Sequence, residues 1–311
     1  GRTIYLLNDL ESYYTNFVQG IKVIGNNSKF INYCFQVIHK NRLHMNYVKQ
    51  TTGLQNFEFN KFSNYFQIPV PCIEIQNKDT RIIIDIGIPL NVAEIDSDDI
   101  LPKVEGLYSS TFPQKKVNAI FISHSHLDHY GLLGNISKEI HIFIGEASKD
   151  LIEISNLFMK DKCSINNYQI LKAENPILIG SIKITPFLID HSAFDSYCFF
   201  IEADGKKILY TGDFRNHGRK GKLTDKITGR LSKHIDAVII EGTNINRIQE
   251  KINTEENIEN EIIEKVKNKI GINLIMLGSQ NIDRIVSIYK ATSKMKKILV
   301  VDIYTANILA T

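Results

Sequence analysis

The sequence predicts an α/β fold: layers of strands and helices over residues 67–245, then the opening of a second, parallel α/β unit over 246–311. Three observations lead there. Short apolar stretches with strand alternation recur from residue 72 onward, and several of them end on a histidine or an aspartate. Asp204-Gly205 sits between two such stretches and is a strong hairpin signal. Beyond residue 236 the pattern becomes strand, helix, strand, helix, strand, the order that parallel strands joined by crossover helices produce.

The elements follow in order. Cys72 to Gln76 alternates, Asn77-Lys78-Asp79 supplies a turn, and Arg81 to Asp85 is an apolar run, which together make a hairpin closed by Gly87. Val117 to Ser123 and Ile140 to Ile144 read as strands, and Glu146 to Met159 as a helix. Ser181 to Leu188 alternates and runs into Asp190-His191. Ser196 to Ala203 and Lys206 to Tyr210 form the second hairpin, which leads to Thr211-Gly212-Asp213. Asp236 to Glu241 is an apolar strand. Thr254, followed by Glu255 and Glu256, caps a helix that should end near Gly271. Ile272 to Leu277 is expected as a strand, Asn281 to Thr292 as a helix and Lys297 to Ile303 as a strand.

Of 311 residues, 43% are hydrophobic and 23% charged, with 18 Gly and 7 Pro. This is globular composition and excludes a disordered, collagen-like or disulfide-built chain. No apolar run reaches the roughly 18 residues a membrane span needs, so no membrane partner is expected. The four cysteines (Cys34, Cys72, Cys163, Cys198) are scattered and form no CxxC pair, which favours a reducing, cytoplasmic setting. Residues 1–66 stand apart: up to residue 65 they carry seven basic residues against three acidic ones, interleaved with tyrosines and phenylalanines. Such a mixture can grip single-stranded nucleic acid, although the core of a small domain is the simpler reading.

The chemistry concentrates in His124-Ser-His126-Leu-Asp128-His129, three imidazoles and a carboxylate directly after a strand. Imidazole nitrogen and carboxylate oxygen are the usual donors to Zn²⁺, and four donors in six residues exceed what one ion needs, so the segment implies two ions. His191 and Asp213 also end strands, and sheet edges are where α/β folds gather site residues. Asp213, after a glycine, is placed to bridge two cations, and Asp85 to hydrogen-bond the free ring nitrogen of a ligating histidine. His217 is read as part of a basic turn, and His39, His44, His141 and His234 as ordinary isolated residues.

This pattern resembles the metallo-β-lactamase superfamily. His191-Ser-Ala-Phe-Asp-Ser196, Tyr210-Thr-Gly-Asp-Phe-Arg215, Glu241-Gly-Thr-Asn244 and Ser279-Gln-Asn-Ile-Asp-Arg284 further resemble its β-CASP branch, which includes ribonuclease J-like nucleases. The resemblance covers roughly residues 68–311. It implies an αββα sandwich over 67–245 and a partial β-CASP domain over 246–311. It assigns one zinc to His124, His126 and His191, the other to Asp128 and His129, and the bridge to Asp213. It also gives Glu241 a supporting or proton-handling role and places the last zinc-binding histidine beyond residue 311, in a chain incomplete at its C-terminus. Where the branch has a glycine pair, this sequence has Ile68-Pro-Val-Pro71.

The function implied is zinc-dependent hydrolysis of RNA by a hydroxide generated between two zinc ions, with Asp128 also orienting the nucleophile. Arg215, Arg219, Lys220, Ser279 and Asn281 are the expected phosphate contacts. Two rivals use the same residues: hydrolysis of a small ester, thioester or lactone, and a non-catalytic RNA-binding or regulatory protein with an incomplete site. A homo-oligomer is compatible with either class.

Overall fold

In a computed structural model, the structure describes residues 72–88, 101–102, 104–108, 116–159, 163–231, 234–241 and 252–310, together with the backbone of 48–51 and 54–57. The chain divides into two compact units, residues 1–68 with 244–246, and residues 69–243 with 247–311. In the first unit, β1 (Val48–Thr51) and β2 (Leu54–Phe57) form an antiparallel hairpin. The expectations for the aromatic side chains of residues 1–66, for His39 and His44, and for the Ile68–Pro71 loop lie outside the described residues.

Arg81-Ile-Ile-Ile shows how the second unit is built. Along a strand successive side chains point to opposite faces. Ile82 and Ile84 therefore enter one core and Ile83 another, and all three are fully buried. A strand buried on both faces reads as a continuous apolar run, which is what this segment is. It forms β4 (Arg81–Ile84), paired antiparallel with β3 (Ile73–Gln76) and parallel with β5 (Ala119–Phe121). β6 (His141–Ile144) and β7 (Tyr168–Ile170) extend this sheet in parallel. The second sheet has the order β12-β11-β10-β9-β8. Its strands are β8 (Ile177–Ile179), β9 (Ile182–Leu188), β10 (Tyr197–Ala203), β11 (Lys206–Tyr210) and β12 (Ala237–Ile239).

Three apolar layers stack these elements. Between the sheets, Ile82, Ile84, Phe121 and Phe143 meet Ile184, Phe199, Ile201 and Tyr210. Phe121 lies edge-on to Phe199 across the gap, with ring centroids 5.7 Å apart. Outside the first sheet, Ile83, Ile120, Ile142 and Ile144 pack with Tyr130 of α1 (Leu127–Tyr130) and Ile152 of α2 (Glu146–Phe158). Outside the second sheet, Phe187, Cys198 and Leu209 cover Ile227 of α3 (Lys222–Arg230). The order is helix, sheet, sheet, helix. Each fully buried isoleucine contributes ~1.5–3 kcal/mol, so the two cores that sandwich β4 dominate the stability of this region.

Residues 252–310 hold α4 (Glu255–Val266), α5 (Ile282–Lys294) and α6 (Ile303–Ala310). Thr254 accepts a hydrogen bond from the Asn257 amide and caps α4 as its sequence predicts, although the helix ends at Val266, short of Gly271. Asn281 caps α5 through the Arg284 amide. The strands expected at 272–277 and 297–303 are absent: these residues form no ladder with any described strand. Most of their apolar side chains are exposed, Ile272 at 91%, Leu274 at 93% and Ile298 at 91%, while Leu277, Leu299 and Val301 are half-buried. A strand exists only through a neighbour's N–H and C=O groups, whatever its propensity. Ile303 instead opens α6, because the Asp302 carboxylate accepts from both the amide and the hydroxyl of Thr305 and so caps a helix there.

Candidate metal centre

The ends of β4, β5, β9 and β11 carry Asp85, His124, His191 and Asp213, and the backbone holds these ends together. The Tyr197 amide, at the start of β10, donates to the Ser123 carbonyl at 2.9 Å and so joins the two sheets. The segment after β4 pairs with α1, Ile86 N–H donating to the His129 carbonyl at 2.8 Å. Gly87 makes this possible: a Cβ there would sit 1.6 Å from the Asp128 carbonyl oxygen. The histidine loop is thus pinned along both flanks.

Two groups of donor atoms result. One nitrogen or oxygen from each of His124, His126, His191 and Asp213 lies within 4.8 Å of the others, and the same holds for Asp128, His129 and Asp213. Asp213 is common to both. His124 Nε2 and His191 Nε2 each approach His126 Nδ1 at 3.1 Å. Burial first, then the neighbouring rings, keep His124 far below the usual histidine range. Burial likewise lowers His126, outweighing the carboxylates of Asp128 and Asp213 that pull it up. For His191 burial, followed by the charge of His126, pushes the value down to about 3. These are neutral rings at physiological pH. A single ring nitrogen cannot hydrogen-bond two acceptors at once, whereas one cation accepts a lone pair from all three. Three imidazoles with a carboxylate are the donor chemistry of a zinc-type site, so the residues present fit such an ion.

His129 is held differently. Its Nδ1 meets Asp85 Oδ2 at 2.8 Å, while Nε2 lies 3.4 Å from Asp213 Oδ1 and 3.9 Å from Asp128 Oδ2. Burial opposes charge on this ring, but Asp85 and Asp213 outweigh it and raise its pKa to about 10. Asp213 is in turn held below its ordinary value, the His129 hydrogen bond overcoming the effect of burial. Asp85 is fully buried. Besides His129 it accepts from the Ser123 amide (2.6 Å), the Ser123 hydroxyl (2.7 Å) and the Tyr210 hydroxyl (2.6 Å). Its backbone has φ +57°, a left-handed conformation costing of order 1–3 kcal/mol, and these bonds hold it there.

The structure therefore brings together all seven residues that the sequence singles out at the strand ends: Asp85, His124, His126, Asp128, His129, His191 and Asp213. Glu241 lies just outside, where Oε1 accepts from the Phe214 amide at 2.7 Å and steadies the turn after Asp213. The expected phosphate contacts are engaged elsewhere. Arg215 ion-pairs with Asp283 and Asp190, and Arg219 with Glu259. Ser279 bonds Thr305, and Asn281 caps its helix. Lys220 alone among them lies over an aromatic ring, that of the exposed Phe194, at 5.0 Å. His217 contributes its carbonyl to the Glu255 amide. Tyr210 and Asp190 were not legible as partners, since only their strand-end positions hinted at a place near the site.

A two-sheet αββα sandwich with histidines and aspartates at one edge defines a class, and residues 66–244 match the metallo-beta-lactamase superfamily. The chain belongs to that superfamily. It is 28% identical over 255 residues to an RNase J-like protein of Methanocaldococcus jannaschii, covering 77% of this chain and 56% of that one. Ribonuclease J 2 of Streptococcus pyogenes is 24% identical over 249 residues, covering 76% of this chain and 44% of its own length. The chain thus spans about half the length of these curated relatives. A crystal structure of a protein of unknown function from Enterococcus faecalis superposes with a TM-score of 0.66 at 19% identity, covering 78% of this chain and 64% of the other, and so shares the fold. Among the described residues no helix is long and apolar enough to cross a membrane.

Proposed function

We propose that this chain is a divalent-metal hydrolase that cleaves RNA phosphodiester bonds, with zinc at two positions. The metallo-β-lactamase domain is residues 67–245 and the partial β-CASP domain 246–311, with 1–66 preceding them. The observation that carries the reading is the sharing of Asp213 by two donor groups. His124, His126, His191 and Asp213 would hold one cation, and Asp128, His129 and Asp213 the other. When bound, such a pair supplies an activated water and neutralises charge on phosphoryl oxygens.

The chain's own residues do the remaining work. Asp85 fixes the His129 ring so that Nε2 faces Asp213. Asp128, in the first turn of α1, orients the attacking water as well as binding metal. Glu241 keeps the Asp213 turn in place through the Phe214 amide. Lys220 and the exposed Phe194 ring, three residues beyond His191, offer a cation and a stacking face to single-stranded RNA. The names of the relatives, ribonucleases, support RNA over a small ester.

The test is a metal count joined to a cleavage assay. The purified chain is expected to carry about two zinc ions, as a two-metal centre requires, and to degrade single-stranded RNA. A chelator, His126→Ala and Asp128→Ala should each abolish degradation while circular dichroism stays unchanged. Undiminished cleavage in either variant overturns the reading, as does turnover of a thioester without any of RNA.

A further inference from the structure

Asp190 and Asp213 are 23 positions apart in sequence, yet each borders the loop 214–219. Asp213 precedes this loop directly. Asp190, fully buried, immediately precedes His191 and grips the loop at three points. Its carbonyl accepts from the Arg215 amide at 2.7 Å, Oδ2 accepts from the Gly218 amide at 2.8 Å, and Oδ1 lies 3.5 Å from Arg215 Nε. The fit is tight enough that a Cβ on Gly218 would come within 2.2 Å of Asp190 Oδ1.

The far side of the same guanidinium belongs to α5. Arg215 Nη2 donates to Asp283 Oδ2 at 2.6 Å, and that oxygen also accepts from the Arg219 amide at 2.9 Å. Both side chains are nearly buried, Arg215 at 10% and Asp283 at 11% exposed. Arg215 Nη1 also lies 3.8 Å from Glu255 Oε1 on α4. A planar guanidinium held between carboxylates fixes both distance and direction, which an ammonium on a flexible stem does not. Asp283 thus grips the loop from the helical segment, and Asp190 grips it from the strand that delivers His191.

We propose that Asp283–Arg215–Asp190 is a positioning relay through which the 252–310 segment sets His191 and Asp213 against each other, and with them the affinity of the cation position formed by His124, His126, His191 and Asp213. This rests on reading the centre as a metal site. None of the three residues is a donor in either group, so they act through His191 and Asp213. The segment has a second foothold that does not reach the centre: Tyr304 on α6 and Gln280 hydrogen-bond Ser155 on α2, Tyr304 at 2.9 Å and Gln280 at 3.0 Å. This foothold is the control.

The experiment titrates the metal-free chain with Co²⁺ alone and follows its visible absorption, without substrate. Arg215→Lys and Asp283→Asn should each weaken binding by about 10–100-fold, the range found when residues that orient metal ligands are removed, and alter the spectrum. The double variant should bind no more weakly than the weaker single, since both changes break one connection. Tyr304→Phe should leave affinity and spectrum as in the parent. Should Asp283→Asn fail to fold, Arg215→Lys, which keeps the charge, decides. Parent-like binding in a folded Arg215→Lys overturns the relay, as does equal weakening by Tyr304→Phe. A parent chain that binds no Co²⁺ overturns the metal reading instead.

Discussion

Two buried clusters of polar side chains lie within the second unit, wired on opposite principles. At the strand ends His124, His126 and His191 turn nitrogen toward nitrogen, and burial keeps all three rings neutral. Around α5 four basic side chains meet carboxylates: Arg215 with Asp283, Arg219 with Glu259, Arg284 with Glu255, Lys294 with Glu259. Lone pairs that face one another gain nothing from the protein itself. Matched ions do, because desolvation is offset only where partners and hydrogen bonds are supplied. The first arrangement suits a centre that shares an external electron-pair acceptor, the second a joint.

Breaking the joint should have the largest effect on stability. Glu255 is 1% exposed and accepts from Arg284 Nε and Nη2, each at 3.1 Å, and from the Ser287 hydroxyl at 2.8 Å. Glu255→Ala would leave Arg284 short of its partner, at a cost of about 3–5 kcal/mol measured by urea unfolding at pH 7. Burial raises this carboxyl, but the bonds from Arg284 and Ser287 win and hold it below its ordinary value. The sign follows: stability from a depressed carboxylate is present above its unfolded pKa, about 4.3, and is lost as pH falls through the folded value. The gap between the parent and Glu255→Gln should therefore close as the pH drops below about 4. A gap that stays constant with pH would mean that shape, not charge, makes the joint.

The same contrast explains what the sequence reveals. The centre was legible because His124, His126, Asp128 and His129 lie within six consecutive positions, and the remaining donors end strands whose alternation is plain. The joint was not, because Arg215 and Asp283 are 68 residues apart and no local pattern links them. Helices α4 and α5 were legible from Thr254 and Asn281, since a helix satisfies its own backbone and its cap is local. Residues 272–277 and 297–303 have the composition of strands, but pairing depends on distant chain that composition does not encode. Asp302-Ile-Tyr-Thr305 held the missed signal, a cap for a helix where a strand end was expected.

A smaller effect should come from the aspartate that orients the centre. Asp85→Asn keeps the shape but replaces one of the oxygens that receive His129, Ser123 and Tyr210. Zinc affinity should fall about 10–100-fold with the fold retained, read by competition against a chelating dye. In the metal-free chain the His129 pKa should drop from about 10, read from its ring protons by NMR. A variant that binds zinc as the parent does would show that Asp85 serves folding alone.

The smallest effect separates the two kinds of wiring most cleanly. Ser125 lies between His124 and His126, fully buried, and among the described residues its hydroxyl has no hydrogen-bond partner. An unsatisfied buried hydroxyl costs about 1–3 kcal/mol, so removing it should not destabilise the chain. Ser125→Ala is expected to leave unfolding free energy unchanged or to raise it by up to about 1 kcal/mol, with metal binding unaltered. In the joint, where each polar atom is answered, Ser287→Ala should instead cost about 1 kcal/mol, since that hydroxyl donates to Glu255 and accepts from Arg219. If Ser125→Ala proves as costly as Ser287→Ala, the histidine loop is satisfied by groups beyond those described, and the contrast between centre and joint narrows to the three rings.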